Sequence, residues 1–222
     1  MVNILLVEDD KSFGYILSEY MLLKNYSVTW SENVTDAIKN LKKDTFDMVI
    51  LDINLKNESG FDVAELLSTE YPKLPFIFLT ARDLKIDQLK GYRLGAEEFI
   101  TKPIDEEILM AKIEAIVNRN KKFSNSNKLL EFKEARLDIL KRELIVNGKS
   151  AQLTERESLL MKALLEKPQQ LVSRKRVLQD LWENQDEFSR NSMDVYISRL
   201  RKYLSDSSLS IRNVHGKGFV LE

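Results

Sequence analysis

Four apolar runs, far apart in the chain, each end in a residue suited to acid, base or phosphoryl chemistry. Ile4–Val7 (ILLV) leads into Glu8, Asp9 and Asp10; Met48–Leu51 (MVIL) into Asp52; Phe76–Leu79 (FIFL) into Thr80; Phe99–Thr101 (FIT) into Lys102 and Pro103. Singly, each has a plain reading. Asp9 or Asp10 can cap a following helix, Thr80 can do the same, and a lysine before proline is ordinarily a solvated loop residue. Capping does not account for Asp52, which ends a separate run. Three carboxylates brought close together repel and raise one another's pKa unless a cation lies among them. An oxygen-only donor set with room for water suits a hard ion, Mg2+ rather than zinc. A carboxylate, a metal and an ammonium around an open position suit phosphoryl transfer. Asp52 would attack in line to give an acyl phosphate, Lys102 would pair with the new dianion, and Thr80 would donate a hydrogen bond to it.

Such chemistry needs a scaffold that brings four strand ends to one edge. The spacing predicts strands at Ile4–Val7, Val28–Trp30, Met48–Leu51, Phe76–Leu79 and Phe99–Thr101. Between them the apolar residues fall at helical spacing: Phe13, Ile16, Leu17, Tyr20 and Met21, then Ala37, Ile38 and Leu41. Further helices are predicted over Phe61–Tyr71, Asp83–Leu94 and Asp105–Arg119. Five strands alternating with five helices predict an α/β fold, a parallel sheet covered on both faces. In such sheets ligands gather beyond the carboxyl ends of the strands, at the switch in strand order. The four polar strand ends fall there.

The chain is 222 residues long, enough for one or two domains, with 31% charged residues and no cysteine. No apolar run reaches the ~18 residues that a membrane span needs, and the N-terminus has no signal-peptide pattern. Zero cysteines excludes disulfides and thiolate metal sites, and a cytoplasmic protein is expected. The net charge of −1 hides an asymmetry. Residues 1–120 hold 14 Lys/Arg against 21 Asp/Glu, while residues 128–222 hold 18 against 14. A mildly basic second half directs the search for a polyanion partner there.

A polar stretch, residues 120–128, reads as a linker between domains 1–119 and 129–222. Short strands are predicted at Leu129–Phe132, Arg136–Ile139 and Glu143–Val146, the last joined by the Asn147-Gly148 turn to Ser150–Leu153. Thr154 and Glu157 form a capping box that opens a helix to about Glu166. Ser173 caps a second helix, Arg174–Trp182; a third spans about Asn191–Leu204; Ile211–Leu221 closes a hairpin around Gly216 and Gly218. In the third helix Met193, Val195, Ile197, Leu200 and Leu204 are assigned to the core. Asn191, Ser192, Tyr196, Arg199, Arg201 and Lys202 are assigned to a face that reads DNA, with His215 and Lys217 in a wing.

The segments VEDD, LDINL with Gly60 beyond it, FLTAR and GAEEFITKP resemble the receiver domain of two-component response regulators. The segments LTERESLLMKALLEKPQQLVSRKRVLQDLW, NSMDVYISRLRKYL and IRNVHGKGFVL resemble the winged-helix effector of the OmpR/PhoB subfamily. The resemblance implies a flavodoxin-like (βα)5 receiver with a five-stranded parallel sheet, followed by a winged helix-turn-helix domain with an N-terminal antiparallel sheet. It implies Asp52 as phosphoacceptor for a histidine kinase, without enzymatic turnover. Mg2+ would be held by Asp9, Asp52 and the backbone carbonyl of Asn54, with Glu8 acting through water. Thr80, Ala81 and Lys102 would bind the phosphoryl group, and Thr80 and Phe99 would form the switch pair.

It further implies a homodimer through the fourth helix, fifth strand and fifth helix. Glu97 would meet Arg119 of the partner and Glu98 would meet Lys112. A third position pair falls on Gln88 and Ile108, both uncharged, which implies more apolar contact. Promoter DNA is the implied partner of the second half. An acidic loop at 183–187 reads either as a solvated loop or as a contact for RNA polymerase. Departures from the family pattern are Lys56 where proline is usual, Tyr196 and Ser198 where histidine and arginine are common, and His215 in place of a wing arginine. Two alternatives stand beside this reading. One is a DNA-binding regulator whose receiver only dimerises. The other is an aspartyl phosphohydrolase, for which Asn54 fails to supply the second acid.

Overall fold

Alternate residues of a β-strand point to opposite faces of its sheet, and this alternation sorts the core of the first half. The computed structural model describes residues 1–123, 129–181 and 187–222, with the backbone alone described for 119–123 and 187–191. Of the linker expected at 120–128, residues 120–123 continue a helix and 124–128 lie outside the described residues, as does the acidic loop up to residue 186. Contacts divide the chain into two compact units, Met1–Asn120 and Lys121–Glu222. Among the described residues, no helix is long and apolar enough to cross a membrane.

In the first unit β1 (Val2–Val7), α1 (Lys11–Leu23), β2 (Tyr26–Ser31), α2 (Val34–Lys43) and β3 (Met48–Leu51) come first. A small hairpin, β4 (Asn54–Leu55) and β5 (Glu58–Ser59), precedes α3 (Gly60–Glu70). Then follow β6 (Phe76–Thr80), α4 (Lys85–Leu94), β7 (Glu98–Thr101) and α5 (Glu106–Phe123). The five long strands pair in parallel in the order β2-β1-β3-β6-β7. Ile4, Leu6, Met48, Ile50, Ile77 and Leu79 pack on one face with Leu17, Met21, Leu109 and Ile113 of α1 and α5. Leu5, Val7, Val49, Leu51, Phe76 and Phe78 pack on the other with Ala37, Leu41, Val63 and Leu67 of α2 and α3. This is why the central strands read as unbroken apolar runs. Ile16, which shares the helical spacing of the core residues of α1, is instead 60% exposed.

Asp10, not Asp9, caps α1: its Oδ1 accepts from the N–H groups of Ser12 and Phe13 at 2.9 and 3.0 Å. The β4–β5 hairpin is not legible from residue pattern. It turns through Asn57, whose φ of 59° lies in the left-handed region, and Glu58 accepts from the Val34 N–H at 2.7 Å, adding a cap to α2. Gly60 has no room for a side chain. A Cβ there would stand 1.9 Å from the backbone oxygen of Asp52.

In the second unit β8 (Leu129–Phe132), β9 (Ala135–Asp138), β10 (Glu143–Val146) and β11 (Lys149–Gln152) form an antiparallel sheet in the order β11-β10-β9-β8. Asn147 and Gly148 have φ of 49° and 78°, as a two-residue hairpin turn requires. Next come α6 (Glu155–Leu165), β12 (Val172–Ser173), α7 (Arg174–Leu181), α8 (Glu187–Tyr203), β13 (Ile211–Val214) and β14 (Gly218–Leu221). The capping box at Thr154 and Glu157 is present. Ser173, expected as a cap, lies in β12, which pairs with β14 to make a three-stranded sheet with β13.

Candidate functional site

In the first unit the chain runs outward from β1 to β2 on one side and through β3, β6 and β7 on the other, so the order reverses between β1 and β3. Crevices at such points bind ligands. Val7 and Leu51 pair in register, and the Asp52 N–H donates to the Val7 carbonyl at 2.9 Å. Glu8 and Asp52 therefore leave neighbouring strands at the same level, buried at 1% and 6% exposure. Lys102 follows β7, its N–H donating to the Thr80 carbonyl at 2.8 Å. Its ammonium lies between the two carboxylates, 2.6 Å from Glu8 Oε2 and 2.7 Å from Asp52 Oδ2. The other Asp52 oxygen accepts from the Asn54 N–H at 3.0 Å, and Glu8 Oε1 from the Asp10 N–H at 3.2 Å.

Two buried carboxylates thus share one cation. Burial pushes the Glu8 carboxyl above its ordinary value, outweighing the hydrogen bond and charge of Lys102. Burial works against the Lys102 ammonium as well, yet Asp52 and Glu8 more than offset it and hold Lys102 above the usual lysine value. The Phe13 ring centroid lies 4.2 Å from the same ammonium, within cation–π range. Trp30 closes this side by donating its indole N–H to the Glu8 carbonyl at 2.8 Å. Residue pattern assigns Phe13 only to the core of α1; its adjacency to Lys102 depends on a contact between distant segments.

The convergence expected from the sequence needs one correction. Among the described residues no three acidic or imidazole side chains gather closely enough to form a metal-binding group. Glu8 and Asp52 converge on Lys102, whereas Asp9 is half-exposed at the end of β1. Thr80 is fully buried, its hydroxyl accepting from the Arg82 N–H at 3.3 Å, and Ala81 beside it is exposed. Phe99 is half-buried, 5.6 Å from the Phe78 ring.

The implied dimer face differs in detail from expectation. Gln88 is 6% exposed and donates to Asp83 at 2.8 Å, and Glu97 is 2% exposed, so neither side chain is presented outward. Glu98 and Lys112 pair within the chain at 3.7 Å. Ile108 is exposed, as are Leu84 and Ile86, which no sequence motif singles out. The Arg119 side chain lies outside the described residues.

In the second unit the face of α8 also needs correction. Tyr196 is fully buried, as is Ser192, so neither points to a ligand. Met193, Tyr196, Ile197, Leu200 and Leu204 form the core stripe, while Val195 is only half-buried. Arg199 packs inward, its guanidinium 2.5 Å from the fully buried Glu157. Among the described side chains of α8, Asp194, Ser198, Arg201 and Lys202 are exposed. Arg201 is aimed by a hydrogen bond from Nε to the Ile211 carbonyl at 2.9 Å. His215 and Lys217 are exposed in the turn between β13 and β14. The Asn191 side chain lies outside the described residues.

Residues 4–114 match the response regulator receiver domain, and residues 148–221 match the C-terminal domain of transcriptional regulatory proteins. The chain belongs to the response-regulator family. This response regulator is 36% identical over 223 residues to the transcriptional regulatory protein RprY of Bacteroides fragilis, covering 99% of this chain and 94% of that protein. It is 31% identical over 221 residues to the response regulator protein PmrA of Pseudomonas aeruginosa, covering 100% and 98%. Among solved structures, a mutant of RitR matches with a TM-score of 0.80 at 25% identity, covering 100% of this chain and 99% of that one. The OmpR/PhoB homolog DrrB of Thermotoga maritima matches at 0.52 and 27% identity, covering 99% and 98%. A receiver joined to a DNA-binding domain makes this response regulator a transcription regulator of the OmpR/PhoB type. Its family is one of transcription factors rather than turnover enzymes.

Proposed function

We propose that Asp52 accepts a phosphoryl group from a histidine kinase and that this switches a promoter-binding dimer. The observation that carries the reading is the Lys102 ammonium bridging Asp52 and Glu8 at the switch point of the sheet. Asp52 Oδ attacks phosphorus in line, forming the P–O bond as the bond to the donor's leaving group breaks. Lys102, already within reach of that oxygen, then pairs with the acyl phosphate. Asn54 N–H orients the carboxylate, and the Ala81 N–H and Thr80 hydroxyl lie on the adjoining strand end.

The oxygens of Asp9, Asp52 and the Asn54 carbonyl, with Glu8 through water, suit a hard divalent cation of the Mg2+ type, and the pinned ammonium marks where positive charge is already needed. Bound there, Mg2+ supplies neutralisation of phosphoryl oxygens. For Thr80 to reach a phosphoryl oxygen it gives up its bond from the Arg82 N–H, and Phe99 turns into the space released. The dimer face is α4, β7 and α5, where Ile108, Leu84 and Ile86 supply apolar surface and Glu98 and Lys112 exchange partners across the two-fold axis. α8 enters the major groove with Ser198, Arg201 and Lys202 outward, and the wing adds Lys217 and His215.

The test is intact-mass measurement of the full chain with acetyl phosphate and Mg2+. One phosphoryl group per chain is expected, together with tighter binding to DNA selected from a random pool. No incorporation, or turnover of a phosphate ester beyond one equivalent, would overturn the reading. Phe13→Leu keeps an apolar side chain and removes the ring's negative face from Lys102. Labelling by acetyl phosphate is expected to slow about twofold to fivefold, the equivalent of about 0.5–1 kcal/mol, whereas Phe13→Tyr keeps the wild-type rate.

A further inference from the structure

The first turn of α6 carries two charged side chains that reach the other two helices of the second unit. Arg156, 2% exposed, donates from Nη1 to the carbonyl of Leu181, the last residue of α7, at 2.8 Å. Glu157 is fully buried and works in two directions. Its Oε2 accepts from the Thr154 N–H at 2.8 Å, completing the capping box. Its Oε1 lies 2.5 Å from Nε of Arg199 on α8, whose side chain is 17% exposed. A carboxylate buried to this depth is stable as a charge only with a close cationic partner. The pair therefore fixes the distance between the start of α6 and the later turns of α8, where the exposed Ser198, Arg201 and Lys202 lie.

We propose that Glu157 and Arg199 are positioning residues for DNA recognition: they set the pose of α8, and Arg199 contacts neither phosphate nor base. Residue type alone would place Arg199 among the DNA contacts beside Arg201, but the guanidinium is committed to the protein interior. The inference rests on α8 being the helix that enters the groove. It assigns a part in DNA binding to a residue, Glu157, on a different helix from the one that meets DNA. Glu157→Gln is the informative change, because the glutamine oxygen still caps Thr154 while a neutral amide NH2 replaces the carboxylate oxygen opposite Arg199.

The experiment measures affinity of the full chain for a duplex enriched by the wild-type protein from a random-sequence pool, across a salt series. Glu157→Gln and Arg199→Met are each expected to weaken binding about tenfold, and the double variant to be no weaker than Arg199→Met, as for residues in one network. The slope of log affinity against log salt is expected to stay at the wild-type value in all three. Arg201→Ala, which removes a phosphate contact, is expected to lower that slope by about 0.9 for each bound protomer. If Arg199→Met lowers the slope as Arg201→Ala does, or Glu157→Gln binds like wild type, the positioning role is overturned while α8 stays the reading helix. If Arg201→Ala changes neither affinity nor slope, the placement of α8 in the groove fails, and the positioning role fails with it. Where Arg199→Met melts too low to measure, Glu157→Gln decides alone: weaker binding at an unchanged salt slope supports the positioning role, and wild-type binding overturns it.

Discussion

Asp52→Asn is expected to abolish labelling by acetyl phosphate, to background, while leaving the receiver folded and at least as stable as wild type. The first half follows from chemistry: an amide oxygen does not supply the nucleophilic charge that an acyl phosphate requires. The second half follows from the charge count at the site. Glu8 and Asp52, both buried, share the single ammonium of Lys102, so the cluster carries an excess of one negative charge. Asparagine removes that excess and leaves a neutral Glu8–Lys102 pair. Its amide oxygen still accepts from the Asn54 N–H. Intact mass after acetyl phosphate treatment and a urea titration check the two halves separately. Residual stoichiometric labelling of Asp52→Asn would place the phosphoacceptor elsewhere.

Lys102→Met is expected to act in the opposite sense on stability. It leaves two buried carboxylates facing each other with no cation, the costly case in which one partner of a buried pair is removed. A loss of about 3–5 kcal/mol in the receiver transition is expected without divalent ions. Mg2+ is expected to restore a large part of it, because the donor oxygens then regain a positive partner. The chain has two tryptophans, Trp30 and Trp182. Following Trp30 fluorescence in a Trp182→Phe background isolates the receiver transition. A Lys102→Met variant as stable as wild type in chelator would show that the carboxylates do not depend on the ammonium. Equal stability with and without Mg2+ would remove the metal from this site.

The strand ends are legible because a polar residue after an apolar run is a local signal, and the parallel sheet converts that signal into a place. The error over α8 has an equally local origin. Met193, Tyr196, Ile197, Leu200 and Leu204 follow the spacing of a single helical stripe, and taking Val195 for the core in place of Tyr196 breaks that period. The hydroxyl argues for an outward tyrosine, yet the ring is apolar and packs in the core. Arg199 cannot be placed by period alone, since its partner Glu157 lies on another helix. The family pattern puts Gln88 and Glu97 outward by position, but Gln88 is drawn in by Asp83. Phe13 and Glu58 act on the site or its flanking helix through contacts between segments far apart in the chain, which no window of residues contains.

Gly60 sets a boundary on how this receiver can vary. Every other amino acid carries a Cβ, and at this position that atom would fall on the carbonyl of Asp52, the proposed phosphoacceptor. Any substitution of the glycine must therefore displace the backbone at Asp52. Lys56 in the adjoining turn is exposed, so a change of side chain there can project into solvent and leave the Asp52 carbonyl where it stands.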